Sequence, residues 1–94
     1  MAEKKAKFSR EYGLFLELLR AEREAAGMTQ TDLAKRLKMT QSSVSKCERG
    51  ERRLDAIETR QICIAIGTQF AVFAAKLDAA IERTPAARKS AARN

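Results

Sequence analysis

The sequence predicts an all-α fold of five helices, and three observations predict it. Apolar residues recur at spacings of three and four along most of the chain, the period of an amphipathic helix. Ser, Thr or Asp stands just ahead of all five of these stretches and Gly just behind three of them, the residue types that start and stop helices. The alternating β-branched runs and Asn-Gly turns that mark hairpins are missing. With 94 residues the chain suits one domain, and its 45% apolar content suffices for a modest core.

Residues 1–8, mostly Lys and Ala, are expected to form a flexible basic arm. Between Ser9 and Ala26, Tyr12, Phe15, Leu18, Leu19 and Glu22 follow a helical period, with Ser9 as N-cap and Gly27 ending the helix. A second helix runs from Gln30 to about Leu37 and turns Leu33, Ala34 and Leu37 inward. Thr29 precedes it at capping-box spacing from Asp32, a shorter residue than the usual Glu. Lys38 and Met39 form a turn. Thr40 caps a third helix from Gln41 to about Arg49, which Gly50 ends. The polar loop Glu51-Arg52-Arg53 leads to a fourth helix, capped by Asp55 and ending at Gly67. A fifth is predicted from Gln69, behind Thr68, to about Arg83, burying Phe70, Phe73, Leu77 and Ile81. Thr84-Pro85 stops it. Residues 85–94 have nothing to bury and are expected to be a disordered basic tail, which leaves 9–84 as the folded domain.

The net charge of +7, from 19 Lys and Arg against 12 Asp and Glu, suits a polyanionic partner. An enzyme is not expected: there is no histidine, no metal-ligand cluster, no nucleophile beside a base and no glycine-rich phosphate loop. Cys47 and Cys63 fall inside apolar helical patterns and are expected to be buried, reduced thiols. No apolar run approaches the ~20 residues of a membrane span. The charged start, Glu3-Lys4-Lys5, is not that of a secretory signal, so a cytoplasmic, nucleoid-associated protein is expected.

Gln30 to Arg49 form one unit of two short helices and a tight turn. Ala34 supplies the small residue where the two helices touch, Met39 the apolar residue under the turn, and Val44 and Cys47 the inner face of the second helix. Its outer face is then Gln41, Ser42, Ser45, Lys46 and Arg49, all hydrogen-bonding and none acidic. Serines are poor helix-interior residues, so their presence here favours a role beyond structure. A row of this kind fits the major groove, where base edges offer donors and acceptors.

The stretches Met28-Thr29-Gln30-Thr31-Asp32-Leu33-Ala34 and Gln41-Ser42-Ser43-Val44-Ser45-Lys46-Cys47-Glu48-Arg49-Gly50-Glu51-Arg52-Arg53-Leu54 resemble the helix-turn-helix domain of the Cro/C1-type (XRE) family of phage and bacterial repressors. The resemblance covers roughly residues 12–82. It implies a five-helix, lambda-repressor-like fold whose second and third helices read double-stranded DNA, with repression as the default and no cofactor. Gln41, Ser42 and Lys46 match base-reading positions, and Ser45 shares their face. Gln30 resembles the family's phosphate-contacting glutamine, and Ser43, Arg49, Arg52 and Arg53 are the further candidate phosphate contacts. Arg23 and Glu48 match a pair that ties the first helix to the third. Two positions depart from the pattern. Lys38 stands where the family often has a left-handed Gly, and Cys47 replaces a larger, often aromatic residue.

One such helix reads only a few base pairs, so a homodimer on a palindromic site is expected. The outward stripe Val72, Ala75 and Ala79 of the fifth helix, with Ile64 of the fourth, is the candidate interface. The alternative is an antitoxin-like or adaptor protein that uses the same fold to bind a protein partner. The chain offers no separate ligand-sensing domain, so control is expected to come through abundance, a partner or proteolysis.

Overall fold

The structure is a computed structural model that describes residues 9–83. The expected arm and tail lie outside the described residues, as does the Thr84-Pro85 stop. Five helices make up the described part: α1 Arg10–Ala25, α2 Gln30–Leu37, α3 Gln41–Glu48, α4 Ala56–Ile66 and α5 Phe70–Arg83. No strand occurs among the described residues.

The caps explain the boundaries. Ser9, Thr29, Thr40 and Asp55 each accept a hydrogen bond from the backbone N–H three residues on. Thr29 and Asp32 close a full capping box despite the short Asp, and Asp55 closes a second with Glu58. The Thr29 N–H and hydroxyl hold the Asp32 carboxyl below its ordinary range. Two edges differ from expectation. Arg49 is the C-cap of α3 rather than its last turn, and α5 starts at Phe70, with Gln69 rather than Thr68 accepting its first backbone bond, from Phe73.

The first four helices all stop in the same way. Two N–H groups just past the helix fold back onto carbonyls of its last turn, as in Met28 N–H to Arg23 O and Gly27 N–H to Glu24 O. The residue at the bend must be left-handed: Gly27, Gly50 and Gly67 fill three of these places, at φ of 75°, 82° and 96°. The fourth is Lys38, at φ 59° and ψ 45°. A side chain there costs about 1 kcal/mol or more against Gly. Lys38→Gly is therefore expected to raise stability by about 0.5–1 kcal/mol in urea titration, once the added flexibility of the unfolded chain is counted. Equal or lower stability would show that the turn carries no such strain.

The core joins Phe15, Leu16 and Leu19 of α1 to Leu33 and Ala34 of α2, Val44 of α3, Ile62, Cys63 and Ile66 of α4, and Phe73 of α5. Phe73, fully buried, meets Phe15 edge-on with ring centres 5.9 Å apart. The other three residues expected in the core from α5, namely Phe70, Leu77 and Ile81, are only half-buried, because α5 packs mainly on α1 and α4 and leaves much of its surface uncovered. Burial pushes the Cys63 thiol up. Both cysteines are buried and unpaired. The chain turns by 109° between α4 and α5, and among the described residues no single helix is long and apolar enough to cross a membrane.

Candidate nucleic-acid interface

The α2–turn–α3 unit is locked to α1 by one arginine. Arg23 Nε and Nη2 donate to the two carboxylate oxygens of Glu48 at 2.6 and 3.0 Å, and Nη1 donates to the Met28 carbonyl at 2.7 Å. Both side chains are about nine-tenths buried, at 8% and 10% exposure. The pair thus fastens the last residue of α3 to the last turn of α1, and the same guanidinium fixes the loop leading into α2.

The connection continues to the exposed side of the unit. Gln30, the first residue of α2, donates from Nε2 to Glu48 Oε1 at 2.9 Å. Its own Oε1 accepts from Gln41 Nε2 at 2.7 Å. Arg23, Glu48, Gln30 and Gln41 therefore form an unbroken chain from a buried ion pair to the exposed first residue of α3. Each amide is orientated by the group behind it, and the Gln41 carbonyl oxygen, on an exposed residue, makes no hydrogen bond among the described residues. Gln30 was expected as a phosphate contact; the structure adds that it holds Gln41.

On α3, Gln41, Ser42, Lys46 and Arg49 are exposed, while Val44 and Cys47 are buried, so four of the five residues expected on the outer face lie there and Ser45 does so only in part. Ser42 and Lys46 make no side-chain hydrogen bond among the described residues. Ser45 is half-buried and its hydroxyl accepts from Arg49 Nη1. Ser43, also half-buried, sits in the cap, where its hydroxyl accepts from the Thr40 hydroxyl at 3.0 Å.

A family model described as a helix-turn-helix domain matches residues 14–75. A solved structure described as an XRE-family like protein from Pseudomonas syringae pv. tomato str. DC3000 is 49% identical, with a TM-score of 0.70. That match covers 73% of this chain and 84% of the other. The chain belongs to the XRE-type helix-turn-helix family. Among proteins of curated function, none matches it. Helix-turn-helix domains of this type are DNA-binding regulators.

The basic residues of this helix-turn-helix protein are held more tightly than their sequence suggests. Arg49 is bound by Glu51 at 2.9 Å, which raises its pKa further. Arg52 reaches back to the Cys47 sulfur at 3.3 Å and to Glu58 at 2.8 Å. Arg53 lies over the Tyr12 ring, 4.3 Å from its centre, and the Tyr12 hydroxyl accepts from the Leu54 N–H. Sequence reasoning missed these partners: Tyr12 comes from α1, distant in the chain, while Glu51, Cys47 and Glu58 lie two to six residues away and meet the arginines only through the fold of the loop between α3 and α4. The one local signal was Asp55-x-x-Glu58, a capping box that places a carboxylate beside the loop arginines.

Proposed function

We propose that this protein is a sequence-specific repressor that lays α3 in the major groove of double-stranded DNA and works as a homodimer on a palindromic operator. The observation that carries this is the exposed Gln41 side chain, held by the chain of bonds from Arg23 at the head of a non-acidic face. Pre-set donors and acceptors read base edges with less entropy lost on binding. Gln41, Ser42, Ser45 and Lys46 read bases. Gln30, Ser43, Arg49, Arg52 and Arg53 contact phosphate, with the α2 N-terminus adding backbone donors. The three arginines exchange Glu51, Glu58 and the Tyr12 ring for phosphate oxygens, which is favourable beside a polyanion. A DNA-bound repressor works in the cytoplasm, on the nucleoid.

The exposed apolar residues support a two-fold assembly. Ile64 is 57% exposed and Val72 43%, and Ala75 and Ala79 are exposed on the same outward side of α5 as Val72. Ile57, 64% exposed on the outward face of α4, is a further apolar residue that periodicity did not single out.

Selection from random duplexes supplies the preferred site, and anisotropy titrations test the reader. Gln41→Ala and Lys46→Ala are expected to lose about 1–3 kcal/mol on that site and far less on a scrambled one. Arg53→Ala is expected to weaken both duplexes alike and lower the salt slope. Gln30→Ala is expected to do both, because it touches phosphate and releases Gln41. If Gln41→Ala and Lys46→Ala bind both duplexes as wild type does, α3 is not the reader.

A further inference from the structure

Beneath α3 lies a cavity of about 250 Å³. The α3 helix rests on α2 and α1 and has little direct contact with α4, and the cavity occupies the space this leaves. Leu16, Leu33, Val44, Cys47 and Ile62, all buried, form its inner wall. Cys47 contributes only a two-atom side chain to that wall, so it fills less of the space than a leucine or phenylalanine at the same position would. Arg52, Glu58 and Gln61, the more exposed lining residues, mark the rim on the α4 side.

The rim decides what can enter. Its charges are already neutralised in pairs, Arg52 with Glu58 at 2.8 Å and Glu48 with Arg23 at 2.6 Å. An ionic ligand would have to break one of them. Among the described residues, no buried side-chain nitrogen or oxygen lacks a hydrogen-bond partner, so nothing inside asks for water or for a polar group. An apolar cavity of roughly 150 Å³ lined by aliphatic side chains stays dry and takes up benzene. The present one is larger and shares that aliphatic character only on its inner wall, with Arg52, Glu58 and Gln61 at its open side. Gln61 offers an exposed amide at the rim.

We propose that this cavity is a binding site for a small uncharged, mostly apolar molecule of one or two fused rings, with one hydrogen-bonding group directed to Gln61. The bound molecule packs against Val44 and Cys47, the two buried anchors of α3, and so shifts the helix that carries Gln41. The site stands independently of what α3 reads; its control over DNA rests on the function proposed above.

The test uses the full chain labelled with ¹⁵N and titrated with indole, and with benzoate as a charged ring of similar size. Indole at millimolar concentration is expected to move the amide signals of Val44, Cys47 and Ile62 and to raise the melting temperature. Benzoate is expected to move neither. Cys47→Phe fills the cavity and is expected to abolish the indole shifts. Cys47→Leu, a smaller filling, is expected to weaken them and covers the case in which the phenylalanine variant fails to fold. Unmoved signals in wild type, or indole shifts of full size in a folded Cys47→Leu or Cys47→Phe protein, overturn the site. Anisotropy with the selected duplex, with indole bound by the same signals, tests the coupling. A change in DNA affinity of about tenfold is expected, and an unchanged affinity overturns the control and not the site.

Discussion

Arg23→Met is expected to destabilise the fold by about 3–5 kcal/mol, a large share of the roughly 5–15 kcal/mol that holds a domain together. The variant leaves the Glu48 carboxylate, 10% exposed, with only the Gln30 amide against it, and removes the guanidinium donor from the Met28 carbonyl. Glu48→Leu is expected to cost a similar amount by the reverse route, since a guanidinium 8% exposed keeps one carbonyl and a carboxylate of Glu24 at 3.9 Å. The double variant is expected to be more stable than either single one, because no charge is then stranded. Urea titrations of the four proteins form the cycle. Losses that simply add would mean that the two side chains do not act as a pair. The same cycle read by DNA binding gives a second result. Without Glu48, Gln30 loses its acceptor and Gln41 its guide, so sequence preference is expected to relax even in the double variant whose stability recovers.

Introducing Glu at Ile64 and Val72 together is expected to split the proposed dimer and lower affinity for a palindromic site by about 100-fold or more. Two linked readers gain on the order of 10²–10⁴ over one. Both positions are exposed, so the charge leaves the fold of a single chain intact. Light scattering reads the split directly, since one chain has a mass of 10.5 kDa. A wild-type protein that is monomeric at micromolar concentration and binds the palindrome without cooperativity would falsify the dimer. A variant that remains dimeric instead moves the interface away from this stripe, with the loop between α3 and α4 and the nearby Ile57 the next surface to alter.

Helix starts and stops were legible because they are written locally. The bonds that set them span three to five residues, and Ser9, Thr29, Thr40 and Asp55 carry them in their own side chains. Lys38 was legible for the same reason, as a residue forced into a place where the other turns use Gly. The buried side of α3 followed from Val44 and Cys47 three apart, and the Arg23–Glu48 pair from the family resemblance. The rest depended on what lies across the fold. That Gln30 bridges Glu48 and Gln41 requires the N-terminus of α2 to sit between the two ends of α3, which no periodicity states. The start of α5 slipped by one residue because Gln69 caps through its backbone, and backbone groups are the same at every position. The cavity was invisible too: a pattern of apolar positions records where side chains point and not whether their volumes meet.

The two free side chains on α3 have a consequence for how such proteins diverge. Ser42 and Lys46 bear on nothing else among the described residues, and exchanges at such sites usually change stability by no more than about 0.5 kcal/mol. Gln41, by contrast, is bonded into a chain that reaches the buried ion pair. After a gene duplication, the first two positions are free to drift and carry each copy toward a different operator, while Gln41 stays bound to its inheritance. Copies of this protein should therefore keep one shared contact and scatter around it.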